Sequence, residues 1–176
     1  MMAGDGFDPG ALTRRLRMFP VALEAVARSF TDAEARWKPE ASKWSVLEVI
    51  NHLADEEVDD FPKRIRLLIE DPAQEWPPID PEGWARDRKY NERALGESIE
   101  RFVKARRTSM AWLDSLGGVD WMVHRVHPRF GPMHAGMLLA SWCAHDGLHL
   151  RQILKRRHEM TVRDAGGFTT LYAGEW

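Results

Sequence analysis

The sequence predicts an all-α protein, a four-helix bundle with a crossover connection, and three observations carry that prediction. Apolar residues recur at three- and four-residue intervals through four long segments, the spacing by which a helix buries one face. Capping residues, prolines and glycines punctuate the ends of those segments. No segment joins sustained apolar–polar alternation to a hairpin turn signal, so strands are not expected. Four amphipathic helices bury their stripes most simply against one another.

The first helix opens at Asp8-Pro9, an acidic cap followed by proline in the first turn, and carries Leu12, Leu16, Phe19, Leu23, Val26 and Phe30. Thr31 to Glu34 reads as a short extra turn. The second helix starts at a capping box, Ser45 with Glu48, and its stripe runs from Val46 through Ile65 to Ile69. Pro62 lies inside that stretch and should kink or break it. Asp71 to Gly83 is a stiff connection holding Pro72, Pro77, Pro78 and Pro81, long enough to allow a crossover. The third helix is expected from around Asp87 to Ser115, stopped by Gly117-Gly118. A loop with Trp121, His124, His127 and Pro128 leads to a fourth helix, expected from near Gly131-Pro132 to about Arg157.

One domain covers residues 1–176, with its core at about 8–158 and a C-terminal tail at 159–176 that is glycine-rich from Asp164. The chain has 25 Lys and Arg against 27 Asp and Glu, a net charge of −2, so no nucleic-acid partner is expected. No window approaches the ~18 uninterrupted apolar residues of a membrane span. The start, Met1 to Asp8, lacks the features of a secretory signal, which makes the expected location cytoplasmic. Cys143 is the single cysteine, so any bound metal must be held by nitrogen and oxygen.

Dinucleotide, P-loop and nucleophile-elbow motifs are absent, and His158-Glu159 does not continue into HExxH. The residues three before His52, His145 and His149 are Val49, Trp142 and Asp146, so the ExxH pairs of di-iron bundles are missing too. What remains is histidine, seven in all. His145 and His149 stand one helical turn apart and can face one metal, and His52 interrupts an apolar stripe on another helix. If the two helices face each other, three imidazoles converge and leave an open coordination position, the pattern of a catalytic site. The alternative is a buried structural histidine at 52 and a coincidental pair at 145 and 149. His134 is expected to cap or pack at the start of the fourth helix, and His124 and His127 to lie in the loop.

Lys43 to Asp55, KWSVLEVINHLAD, resembles the WSxxExxxHLxD signature of the DinB/YfiT-like family of metal-binding four-helix bundles. His145 to Ile153, HDGLHLRQI, resembles that family's later HxxxHxxQ[IL] signature, in the same order. The resemblance implies that His52, His145 and His149 bind a divalent metal, often zinc or nickel, and that the protein is frequently a homodimer. It does not supply a reaction, because members include thiol-dependent transferases and isomerases and presumed hydrolases.

Such a metal would activate either water or a thiol. Expected functions are therefore a hydrolase or a transferase using a low-molecular-weight thiol, each acting on a small molecule, or a non-catalytic metal-binding or stress-response module. Glu56 follows His52 by one turn and is the candidate general base or partner of a ligand imidazole. The alternative is that Asp55, Glu56, Glu57, Asp59 and Asp60 form a solvated acidic face. Gln152 is placed to bond an imidazole, Trp44 and Trp142 to line the site or the core, and Arg125 and Arg129 near the mouth would favour an anionic cosubstrate.

Overall fold

The structure is a computed structural model that describes residues 6–176; the run Met1 to Asp5 lies outside the described residues. Helix α1 (Pro9–Ala27) begins where Asp8 accepts a hydrogen bond from the Ala11 amide at 2.8 Å. Helix α2 (Asp32–Arg36) is the expected extra turn, closed by a Thr31–Glu34 capping box. The Ser45–Glu48 box opens α3 (Val46–Asp59) with reciprocal bonds of 3.0 and 2.8 Å.

The second helix breaks at Asp60, whose φ of −125° and ψ of −97° leave the helical region, and resumes as α4 (Phe61–Glu70). Pro62 thus sits in a first turn, where its missing amide hydrogen costs nothing. The third helix starts later than expected. Residues 81–94 form a separate short helix, α5 (Pro81–Asp87), a left-handed Lys89 and a single 3-10 turn before α6 (Leu95–Ser115) begins.

The expectation of no strands is corrected. Strands β1 (His124–His127) and β2 (Gly131–His134) pair antiparallel, with Gly131 at φ +69° after the turn. Met133 is the hairpin's one buried residue and Val126 is 67% exposed, so no apolar alternation marks it. The hairpin displaces the start of the last helix, α7 (Ala135–Ala165), whose N-cap residue is His134. The helix also continues beyond Arg157, so the non-helical tail begins after Ala165 rather than at 159.

Four helical rods form the bundle: α1, α3 with α4, α6, and α7. Each of α1 and α3 packs on both α6 and α7. Asn51 bonds Ser98 and Glu57 bonds Arg106, so α3 and α6 run parallel. Two consecutive parallel rods need a connection that traverses the bundle, and residues 71–94 provide it. Glu57 bonds Trp142 while His52 meets His145, so α3 and α7 run antiparallel. The core is two apolar clusters, one around Leu23, Leu47, Ile50, Phe102 and Ile153, the other around Leu16, Ile65, Leu139 and Trp142. No helix among the described residues is long and apolar enough to cross a membrane.

Candidate metal centre

The antiparallel packing of α3 on α7 brings His52, His145 and His149 to one point in the bundle. His145 Nε2 lies 3.3 Å from His52 Nε2 and 2.9 Å from His149 Nε2. One nitrogen from each of the three falls within 4.8 Å of the others. Three nitrogens bound ~2.0–2.1 Å from one tetrahedral ion would stand ~3.3 Å apart. The cluster therefore has the dimensions of a coordination shell.

Its donor chemistry matches. Gln152 Oε1 lies 2.8 Å from His149 Nδ1. A carbonyl oxygen only accepts, so His149 Nδ1 donates and its Nε2 carries a bare lone pair aimed at the cluster. Burial pushes the His52 imidazole down to about 3, with the neighbouring His149 adding to the shift. Burial, then His149, His52 and Arg106, push His145 down to about 2. Burial also lowers His149, against the opposing bond to Gln152. All three rings are neutral at neutral pH, the form that ligates metal. The buried Nδ1 atoms of His52 and His145 have no hydrogen-bond partner among the described residues. His145 Nε2 lies 2.9 Å from the His149 lone pair and 3.3 Å from His52 Nε2, close enough for one cation to take all three nitrogens.

Aromatic rings wall the cluster. Trp44 lies 4.8 Å from His52 and stacks at 15° to His149, and Phe61 lies 5.2 Å from His145. Trp142 instead belongs to the core and donates its indole hydrogen to Glu57.

The acidic run after His52 is not a solvated face. Asp55, Glu56, Glu57 and Asp60 are buried, because α3 is covered on one side by α6 and the 71–94 connection and on the other by α7. Glu56 turns towards His52, with Oε1 3.6 Å from Nδ1. Burial first, then repulsion from Asp60, push its carboxyl up to about 9. Asp55 turns the other way and accepts from Arg88, Tyr90 and Arg101. Arg125 bonds the Ala73 and Gln74 carbonyls and Arg129 lies over Phe130, so the contacts of both are with the hairpin and the connection rather than the histidines.

Sequence reasoning missed Arg106, which is 1% exposed and pairs with Glu57 and Asp146 at 2.8 Å. A signal was present. Arg106 falls on the apolar stripe of α6 between Phe102 and Met110, as Asp146 does on α7 between Trp142 and Ile153. A charge at a stripe position predicts a buried partner.

Comparison with known proteins agrees with this architecture. No curated protein sequence matches the chain. Among solved structures it resembles YfiT from Bacillus subtilis, with a TM-score of 0.79 and 17% identity over 92% of each chain. That protein is described as a probable metal-dependent hydrolase with an unusual four-helix bundle topology. A family model for the DinB superfamily matches residues 15–153, most of the chain, and the protein belongs to that superfamily.

Proposed function

We propose that this protein is a divalent-metal-dependent enzyme that hydrolyses a small molecule, with His52, His145 and His149 as the metal ligands. The observation that carries the reading is the convergence of three neutral Nε2 atoms at coordination spacing inside aromatic walls. The description of YfiT as a probable metal-dependent hydrolase supports the same reaction class. When bound, a divalent ion with three imidazole ligands supplies a Lewis acid with an open position that acidifies water or a thiol. Zinc and nickel are the proposed ions, since imidazole suits both.

The chain's own residues prepare the site. Gln152 Oε1 holds the His149 hydrogen on Nδ1. Glu56 Oε1 lies 3.6 Å from His52 Nδ1, beyond hydrogen-bond reach, and is the acidic group beside that ring. Once a cation stabilises its carboxylate, Glu56 is also the nearest acidic group placed to accept a proton. Trp44 and Phe61 keep bulk water away from the rings.

The test is elemental analysis of protein purified without chelator, beside His52→Ala, His145→Ala and His149→Ala. Wild type should carry a divalent metal and each variant should lose most of it while keeping its helical circular dichroism. Metal-free wild type, or variants that retain metal, would overturn the reading. Metal-loaded protein is then assayed on esters, amides and electrophiles with low-molecular-weight thiols. Chelator-sensitive hydrolysis is expected; turnover only with thiols would make it a transferase. No turnover from protein with tightly bound metal would leave a binding module.

A further inference from the structure

We propose that Arg106 is the positioning residue of the three-histidine centre, holding α3 and α7 in the register at which the ligand nitrogens meet. The inference rests on the metal reading above and goes beyond it, because Arg106 touches none of the three histidines.

One guanidinium joins all four rods. From α6, Nη1 donates to the Leu16 carbonyl of α1 at 2.7 Å, and Nη1 and Nη2 donate as a fork to the Asp146 carboxylate of α7 at 2.8 Å each. Nη2 also donates to Glu57 Oε1 of α3 at 2.8 Å, the same oxygen that accepts the Trp142 indole hydrogen of α7 at 2.8 Å. The rings of Phe102 and Trp142 lie 5.2 Å from the guanidinium carbon. Asp146 is the residue after His145, and Glu57 follows Glu56, the neighbour of His52. The two helices that carry the ligands are therefore bolted together within about one turn of the cluster.

Stability does not explain this arrangement. A buried ion pair replaced by packed apolar residues is often as stable or more so, and the best-attested use of burying one is to specify register. Metal ligation needs that register, because ligand distances tolerate only ~0.2 Å. A slip of α7 along α3 by a fraction of a residue would carry His145 and His149 out of reach of His52. Only arginine presents a planar fork that can hold Asp146 with two hydrogen bonds and still reach Glu57 and a carbonyl.

The experiment measures cobalt(II) binding to the full chain by its visible absorption, with unfolding midpoints measured in chelator. The variants are Arg106→Lys, the apolar triple Arg106→Met/Glu57→Leu/Asp146→Leu, and a control, Leu23→Ala, which opens a cavity in the core. The triple should fold with a midpoint near or above wild type yet bind cobalt at least ~10-fold more weakly, the scale seen when outer partners of metal ligands are removed. Its spectrum should lose the intensity of a tetrahedral site. Arg106→Lys keeps the charge without the fork and should bind ~10-fold more weakly as well. Leu23→Ala should lower the midpoint and leave cobalt affinity within twofold. Wild-type affinity in a folded triple, or in Arg106→Lys if the triple does not fold, overturns the proposal while the metal reading stands. Failure of wild type to bind cobalt overturns both.

Discussion

His52 and Asp55 stand three residues apart on α3, both buried, facing opposite neighbours. Asp55 looks towards α6 and the 71–94 connection, where Arg88, Tyr90 and Arg101 donate to its two oxygens. His52 looks towards α7, with His145 Nε2 3.3 Å from its Nε2 in front and Glu56 Oε1 3.6 Å from its Nδ1, outside hydrogen-bond reach, behind. One centre is closed, with every polar atom of the carboxylate matched. The other gathers atoms of the same kind and leaves two ring nitrogens without partners. An unmatched buried polar group costs about 1–3 kcal/mol, so a fold tolerates a cluster of them only where something else completes it. Burial alone distinguishes nothing here; satisfaction does.

The largest expected effect lies at the closed centre. Asp55→Ala strips the acceptor from three donors and detaches the crossover connection from α3. Breaking a buried ion pair costs about 3–5 kcal/mol, and the low end applies because Arg88 and Arg101 side chains are 35% and 34% exposed and rehydrate. Urea unfolding of the metal-free protein should show that loss, while metal content per folded chain stays at the wild-type level. Loss of metal from folded Asp55→Ala would mean that the two centres are not independent.

The open centre should respond to acid in the metal-free protein. His52 and His145 are held down to about 3 and about 2, whereas an unfolded imidazole titrates near ~6.5. The unfolded chain therefore binds protons first. Stability from these rings is complete above pH ~6.5 and falls as pH drops towards their folded values. By pH 5.5 each ring costs the fold about 1.4 kcal/mol. Unfolding midpoints in chelator from pH 7.5 to 5.5 should fall more steeply for wild type than for His52→Leu/His145→Leu. Equal slopes would show that the rings are not held neutral.

These two centres were not equally legible in the sequence. The histidines stood out because spacing on one helix and interruption of a stripe on another are local signals, and α3 begins at a capping box that fixes its phase. Four apolar stripes likewise announced four rods. Asp55 was less readable, since Arg88 and Arg101 lie 33 and 46 residues away and only the folded crossover brings them near. Periodicity tells which face a residue occupies, not which of five neighbouring acids turns inward. The β1–β2 hairpin was invisible for another reason: four-residue strands held by backbone bonds, with half-exposed faces, leave no alternation to detect.

The smallest expected effect comes from opening the one histidine of the cluster that resembles the closed centre. His149 alone has its outer nitrogen matched, by Gln152 at 2.8 Å, while those of His52 and His145 have no hydrogen bond. Gln152→Ala should weaken metal binding by about 10-fold, the low end of the range for outer partners, because the other two proposed ligands remain as before. Metal-free stability should change by less than about 1 kcal/mol, since Gln152 is half-exposed and its loss leaves His149 Nδ1 within reach of water. Gln152→Glu separates orientation from charge: a carboxylate still accepts from Nδ1 and makes the imidazole a stronger donor to metal, so affinity should match or exceed wild type. If Gln152→Ala binds as tightly as wild type, the ring is held by Trp44 stacking alone, and the contrast between matched and unmatched nitrogens does not reach the chemistry of the site.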